Sequence, residues 1–570
     1  MIRRALRQGE TGLIILSAAI GVAAGLCAAL ISAAARALQI GLYRIPASSH
    51  LSGLASVPPV SLLALPLGGL AVGLAAFAFR DRSRTATDVV EANALHGGRI
   101  PLRDTVFVTV LTVLSNGCGA SVGLEAAYAQ AGGGLASTIG QWLRLRRADL
   151  RMMVGAGAGS AIAAAFGAPL TGAFYAFEIV IGAYSPASIA PVAAAAISAA
   201  VTARSLGATP YLIAIRGSHA ITTPEYFIYA GFGVAAALAG IGIMWLVTAA
   251  EAATRPAAIP EWVRPAIGGL LLAPVAAMSP YALSAGHGAL DLALATQLSL
   301  KALLIAFAFK LLGSVISLAS GFRGGLFFAS LLLGALLGQI LCGLWAWLPG
   351  GYPIDQTDAT LVGMAALAVA IVGGPMTMSL LVLEATHEFA ITATVLTAVL
   401  CSSAFVRDRF GYSFSTWRLH LRGEVVRTAR DIGWMRNLTA ERLMRATPPL
   451  APDSLTVAEF QRRFPLGSTS RVVLTDPRGR YAGIAITASA YAPKLDPAST
   501  VAGLAILRGV ALRPFETIDQ ILERFDDQET DDLAVLDPED CPIGIVTEKY
   551  ARRRYASEAD RALREAFGES

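Results

Sequence analysis

The chain has 570 residues, of which 55% are hydrophobic and only 15% are charged, and its mean hydropathy is +0.59. A soluble protein carries about 25% charged residues, so this composition excludes an ordinary globular protein and predicts an integral membrane protein. The net charge of +5 is modest and indicates no nucleic-acid partner. The five cysteines are odd in number and scattered, and the six histidines lack ligand spacing. We therefore expect no disulfide framework, no metal site and no cofactor.

Several apolar runs are long enough to cross a bilayer, which takes about 20 helical residues. These runs cover residues 11–42, 60–79, 229–250, 302–318 and 361–383. The first run is expected to be a permanent helix, because no small-residue cleavage site follows a short apolar core. Arginine clusters flank the apolar part near both ends of the chain. By the positive-inside rule we expect both termini in the cytoplasm, with the protein in the inner membrane of a bacterium.

Apolar character ends near Arg407, and the remaining sequence has the mixed composition of a soluble domain. We predict a transmembrane domain over residues 1–422, built from related halves at about 11–205 and 223–420. A linker over 423–442 then leads to a cytoplasmic domain over 443–567. In this tail, a strand–turn–strand pattern at 471–486 recurs at 533–548 and predicts two β-β-α units.

The transmembrane part also contains a repeated motif. Thr171 and Glu178 follow Pro169 by two and nine residues, and the motif that starts at Pro375 has the same spacings. Upstream of each motif is a glycine-flanked break, at residues 123–127 and 324–330. Paired interruptions of this kind indicate a substrate site near the membrane midplane of a repeat-built transporter. Chance recurrence in a glycine-rich and alanine-rich chain is the alternative, and the four matched features in one order favour the repeat.

The two breaks predict an anion site made from backbone. A helix that begins inside the membrane presents unpaired N–H groups and the positive end of its dipole. Two such ends, at 123–126 and 325–329, would bind an anion through partial charges that still let it leave. Glu125 is the single charge in the first break, and its carboxylate can occupy the site in place of an anion and carry a proton. The alternative is an acid that merely stabilises the helix dipole.

Three further charges lie in apolar segments. Glu178 and Glu384 follow apolar runs near helix ends, so we expect them to pair with or cap neighbouring backbone at least as readily as to take part in transport. Lys310 is expected to form an ion pair or to extend to the membrane interface.

The order and spacing of these motifs resemble the CLC family of chloride channels and transporters over residues 11–423. The matching stretches are residues 91–100, 117–126, 167–172, 324–330 and 381–384. The resemblance implies an all-α polytopic fold with an inverted repeat and broken helices, followed by a small α/β CBS-like pair. It also implies a homodimer with one pore per subunit that moves chloride or another small anion, with protons as a possible second substrate. Such a protein is not an enzyme.

By this resemblance Glu125, in GLEAA where the family usually has GREGP, falls on the gating glutamate. The break positions and the resemblance together assign the anion path to backbone amides at two helix starts. The residues concerned are Gly123, Leu124, Gly325, Leu326, Phe327 and Phe328.

Four positions depart from the family pattern. Arg84 stands at the estimated position of a serine that touches the anion, and Ser415 stands at that of a pore tyrosine. Ile179 replaces the inner glutamate that relays protons in coupled exchangers, so channel and exchanger both stay open. In the tail, Tyr550 stands where an aspartate would contact a ribose. We therefore expect the CBS-like pair to support the dimer rather than to bind a nucleotide.

Two other classes of function fit the sequence less well. An intramembrane enzyme would need a Ser/His pair, paired aspartates or a metal-ligand set beside Glu125, and the sequence has none there. A divalent cation transporter regulated by a CBS pair would need several acids along one path. The intramembrane acids instead lie in three separate motifs.

Overall fold

The computed structural model describes residues 10–79, 86–208, 221–254, 259–296, 298–349, 352–421, 438–493 and 495–567. The chain divides into two compact units, a membrane domain over Met1–Asp431 and a C-terminal domain over Ile432–Ser570. The described part of the first is helical, and the second is a small α/β domain. The predicted fold class, a helical polytopic part followed by a small α/β domain, is confirmed.

The first half of the membrane domain contains eight α-helices among its described residues. They are α1 Glu10–Tyr43, α2 Ala64–Phe79, α3 Val89–Leu95, α4 Leu102–Gly117, α5 Glu125–Leu143, α6 Arg147–Phe166, α7 Pro169–Tyr175 and α8 Pro186–Ser205. Helix α7 continues directly into a π-helical turn, Ala176–Ile181.

The second half follows with nine α-helices among its described residues. They are α9 Thr223–Thr254, α10 Arg264–Met278, α11 His287–Ala295, α12 Leu300–Ala319, α13 Phe327–Trp345, α14 Gln356–Val372, α15 Pro375–Thr386, α16 Phe389–Arg409 and α17 Phe414–Leu421.

Seven helical segments of the described chain are long and apolar enough to cross a membrane. The predicted runs at 11–42, 229–250 and 302–318 lie within such segments, and the run at 60–79 begins one residue before another, Ser61–Phe79. The run at 361–383 does not form one span, so that prediction is wrong. It is divided between α14 and α15, because Gly373 and Gly374 have φ angles of 86° and 74° and Pro375 starts a new helix. Glycine tolerates this backbone conformation, and proline cannot continue a helix that precedes it.

Corresponding helix pairs of the two halves cross at glycines. A Cβ atom on Gly132 of α5 would lie 2.1 Å from the carbonyl oxygen of Gly157 in α6. A Cβ atom on Gly334 of α13 would lie 2.4 Å from the carbonyl oxygen of Gly363 in α14. Such small residues let helix backbones approach closely, which is how helices associate where lipid removes the hydrophobic driving force. Both helices that begin at the breaks are thereby held by backbone contact.

The C-terminal domain contains two antiparallel hairpins. Arg471–Thr475 pairs with Tyr481–Ile486, and Asp532–Leu536 pairs with Pro542–Thr547, which Glu548–Phe567 continues as a helix. The predicted strand–turn–strand patterns are confirmed. The other α-helices among the described residues of this domain are Ala440–Leu443, Val457–Arg463 and Ile518–Gln528. The other strands are Arg445–Ala446, Leu450–Pro452 and Ala505–Ile506, and two 3-10 helices cover Thr487–Tyr491 and Val501–Leu504.

Candidate functional site

The two breaks of the membrane domain meet at Gly123 and Gly325. The peptide N–H of Gly123 donates to the carbonyl oxygen of Gly325 at 2.9 Å, and that of Gly325 donates back to Gly123 at 3.3 Å. Helix α5 begins two residues after Gly123, and α13 begins two residues after Gly325. The structure therefore joins two helix N-termini from opposite halves of the sequence, where unpaired N–H groups and both positive dipole ends favour an anion.

Glycine is required at the first of these positions for a steric reason. A Cβ atom on Gly123 would lie 1.9 Å from Oε2 of Glu125. At Gly325 a Cβ atom would lie 3.8 Å from the same oxygen, which is ordinary contact. Gly123 thus makes room for the carboxylate, whereas Gly325 borders the space beside it.

Glu125 is the first residue of α5, and its side chain is only 4% exposed. Its carboxylate interacts with the peptide N–H groups of Glu125 itself and of Phe328 in α13. Its Oε2 atom is buried and accepts no hydrogen bond from the described residues. Buried polar atoms without a partner are uncommon and indicate strain, chemistry or an absent ligand. The carboxylate therefore occupies the shared helix end without being fully satisfied there.

Lys310 of α12 is completely buried behind this site. Its Nζ donates to Oγ of Ser121 at 3.0 Å and to the carbonyl oxygen of Ser284 at 2.8 Å. Because the side chain is buried and bonded inside the protein, the interpretation that it extends to the membrane interface is wrong. Lys310 interacts electrostatically with Glu125. Its hydrogen bond to Ser121 fixes the segment that precedes Glu125.

Aromatic packing fixes the start of α13. The ring of Phe166 lies 5.5 Å from that of Phe327 and 6.2 Å from that of Phe328. The imidazole of His287 stacks on Phe328 with 3.7 Å between ring centroids. Leu326, Phe327 and Phe328 are all buried. Their side chains anchor this helix start, and the peptide N–H of Phe328 faces the Glu125 carboxylate.

Each of the two repeated glutamates caps the start of a helix in the other half of the protein. The carboxylate of Glu384 accepts hydrogen bonds of 2.8 Å from the peptide N–H groups of Leu170 and Thr171, and one of 2.7 Å from the Thr171 hydroxyl. Glu178 accepts the equivalent set, with lengths of 3.0, 2.8 and 2.7 Å. Its donors are the N–H groups of Met376 and Thr377 and the hydroxyl of Thr377. The prediction that these glutamates cap neighbouring backbone is confirmed.

The other predicted pore residues have separate surroundings. Arg84 lies outside the described residues. Ile179 lies in the π-helical turn, and its Cδ1 would be 3.2 Å from a Cβ atom on Gly374. Ser415 is half-buried in α17. No hydrogen bond among the described residues joins Ser415 to Glu125, and the pore-lining roles of Ile179 and Ser415 stay predictions.

Tyr175 is a residue of this region that the sequence reasoning missed. It is the last residue of α7, it is buried, and its ring centroid lies 6.3 Å from that of Phe327. Its phenol interacts electrostatically with Glu125 and with Asp88, the N-cap of α3. The only signal in the sequence is a tyrosine one helical turn before Ile179 in a run of apolar residues.

Comparison with known proteins identifies the family. The family model described as voltage gated chloride channel matches residues 68–407. A putative chloride channel protein ClcB-like from Ralstonia nicotianae is 28% identical over 326 residues, which are 56% of this chain and 75% of the relative.

Two solved structures share the fold. A slow cyanobacterial Cl⁻/H⁺ antiporter is 20% identical, with a TM-score of 0.63 over 72% of this chain and 97% of its own. A eukaryotic CLC transporter is 16% identical, with a TM-score of 0.62 over 96% of this chain and 98% of its own, so the likeness extends into the C-terminal domain.

The family match covers more than half of the chain, and it includes both breaks and both repeated motifs. It confirms the resemblance inferred from the motifs, and with it an integral membrane location and a role that is not enzymatic. The chain belongs to the voltage-gated chloride channel (CLC) family and transports anions across a membrane.

Proposed function

We propose that the protein moves chloride or another small anion through one pore per subunit of a homodimer, with Glu125 as a protonatable gate. The observation that carries this proposal is the buried Glu125 carboxylate at the junction of α5 and α13, with Oε2 unpartnered among the described residues. A negatively charged side chain in that position stands where a permeant anion would bind. The gate and the anion therefore compete for one place.

The gate works by removing a charge from the shared helix ends. An ionised Glu125 fills the site and repels an anion, whereas protonation weakens its hold and lets the side chain leave. The anion then meets the amides of Leu124, Leu326, Phe327 and Phe328. These amides supply only partial charges, which balance entry against release. The N–H groups of Gly123 and Gly325, which were expected to line the path as well, are instead bonded to each other's carbonyl oxygens. Lys310 lies behind the site, and its bonds to Ser121 and to the carbonyl oxygen of Ser284 hold it in place.

The same gate serves a channel or a proton-coupled exchanger. The similar proteins include one described as a putative chloride channel and one described as a Cl⁻/H⁺ antiporter. Ile179 cannot carry a proton, so coupled exchange would need another route to Glu125. Recording chloride and pH at the same time in reconstituted vesicles distinguishes the two.

A divalent cation carrier is a weaker candidate. Glu178 and Glu384 each accept three hydrogen bonds as helix caps. Of the three acids Glu125, Glu178 and Glu384, only Glu125 is thus left at the helix junction. A single carboxylate beside two positive helix ends and Lys310 disfavours a cation.

The C-terminal domain is assigned a supporting role in the dimer rather than nucleotide binding. Tyr550 is exposed at the position where the CBS-like pattern would need an aspartate. The arginine-rich flanks support a bacterial inner membrane with both termini in the cytoplasm.

The test is transport by the purified protein in liposomes under an imposed gradient of chloride or of a divalent cation. Chloride flux without cation flux supports the proposal. Cation flux without chloride flux would overturn it.

A further inference from the structure

Tyr175 is a buried residue whose hydroxyl the protein does not use. The residue is 8% exposed, and its hydroxyl makes no hydrogen bond to the described residues. Buried tyrosine hydroxyls usually find a partner, because an unpaired one loses its bonds to water. A group left in this state beside a binding site is available for a ligand.

Other buried tyrosines of the membrane domain follow the usual rule. Tyr128 of α5 is also 8% exposed, and its hydroxyl lies 2.7 Å from Oγ of Ser32. The hydroxyl of Tyr43 donates to the carbonyl oxygen of Cys118 at 2.7 Å. Burial alone therefore does not explain the isolated phenol of Tyr175.

The surroundings of Tyr175 direct it to the transport site. Its ring packs beside Phe327, the first residue of α13. Glu125 acts electrostatically on its phenol, as it also does on that of Tyr128, but only the Tyr128 hydroxyl already has a hydrogen-bond partner. Glu125 lacks the opposite kind of partner, since its Oε2 accepts no hydrogen bond from the described residues. A donor without an acceptor and an acceptor without a donor thus lie around the same helix junction.

We propose that the Tyr175 hydroxyl is a side-chain ligand of the transported anion and donates a hydrogen bond to it once Glu125 has left the site. This inference rests on the proposed function, because it needs Glu125 and the anion to alternate. A neutral hydroxyl suits a transport site, since it adds one directed hydrogen bond without a fixed charge that would trap the ion. The packing against Phe327 holds the ring in place, so little freedom is lost when the anion binds.

The test compares Tyr175→Phe with Tyr128→Phe in the full-length protein. Chloride binding is measured by calorimetry in detergent, and chloride flux is measured in liposomes. Tyr175→Phe removes only the hydroxyl, so it should weaken chloride binding by about tenfold or more, the effect of losing one hydrogen bond to a charged group. Its thermal stability should not fall, because no bond to the protein is lost.

Tyr128→Phe is the matched control. It removes an equally buried hydroxyl that is bonded to Ser32, so it should lower thermal stability and leave the chloride dissociation constant unchanged. Tyr175→Met, which also lacks the hydroxyl, provides a second test if Tyr175→Phe does not fold.

An unchanged chloride dissociation constant in folded Tyr175→Phe, or in folded Tyr175→Met, would overturn this inference. Failure of the underlying proposal has a different signature, because wild-type protein would then neither bind nor move chloride.

Discussion

Oε2 of Glu125 occupies the space that a Cβ atom on Gly123 would need, since the two would lie 1.9 Å apart. The glycine and the glutamate therefore form one unit, in which the absent side chain of the first accommodates the carboxylate of the second. Any side chain at position 123 must move either the gate or the strand-like bridge to Gly325.

Gly123→Ala should displace the Glu125 carboxylate from the helix junction. We expect chloride flux at neutral pH to rise several-fold and to depend less on pH, because the gate no longer fills the site. The measurement is chloride efflux from liposomes at several pH values. Gly231→Ala is the control, since a Cβ atom there would meet nothing within 4 Å. A wild-type pH profile in folded Gly123→Ala would contradict the steric account.

Gly325→Val should close the anion path. A Cβ atom at this position fits, but the two further methyl groups of valine would enter the space in front of the α13 amides. We expect chloride flux to fall to the level of empty vesicles while the protein stays folded and dimeric. Gly242→Val is the control, because that glycine also borders open space. Normal flux in folded Gly325→Val would argue against an amide-lined site.

Glu384→Ala should destabilise the membrane domain rather than alter selectivity. It removes the acceptor of three hydrogen bonds at the start of α7. Two of the three donors belong to Thr171, which is buried. Leaving a buried donor unsatisfied costs about 1–3 kcal/mol, so the unfolding temperature should fall clearly. Glu388→Ala is the control, since Glu388 makes no side-chain cap hydrogen bond. Equal unfolding temperatures for both variants would show that the reciprocal caps contribute little.

Removing the chain after residue 421 should leave a folded membrane domain that still moves chloride. The membrane domain forms its own compact unit, and membrane helices satisfy their backbone groups internally. Size-exclusion chromatography and chloride flux of the truncated protein provide the measurement. Loss of all folded membrane domain would instead make the C-terminal domain an essential part of the fold.

Sequence patterns predicted the features that depend on local spacing. The common Pro–Thr–Glu spacing identified Glu178 and Glu384 as equivalent, because a helix start and a helix end lie at fixed distances along the chain. The exchange of caps between the two halves could not be predicted, since it depends on which helix ends meet in space. The same limit applies to the hydrogen bonds between Gly123 and Gly325.

Other features escaped because average hydropathy does not resolve them. The run at 361–383 has a high average hydropathy, and the backbone at Gly373 and Gly374 together with Pro375 divides it into two helices. Lys310 lies in the middle of an apolar run, and the serine and carbonyl partners that keep it buried come from distant segments. Tyr175 is similar, since its significance depends on Phe327 and Glu125, which lie far away in the chain.

The central claim is that Glu125 is the gate, and the most direct measurement is chloride flux as a function of pH for wild type and Glu125→Gln. Glutamine keeps the shape of a protonated glutamate but cannot ionise. We expect wild-type flux to rise as pH falls, and Glu125→Gln flux to be independent of pH and without coupled proton movement. If both proteins give the same pH profile, Glu125 merely stabilises the start of α5 and the account of the gate is wrong.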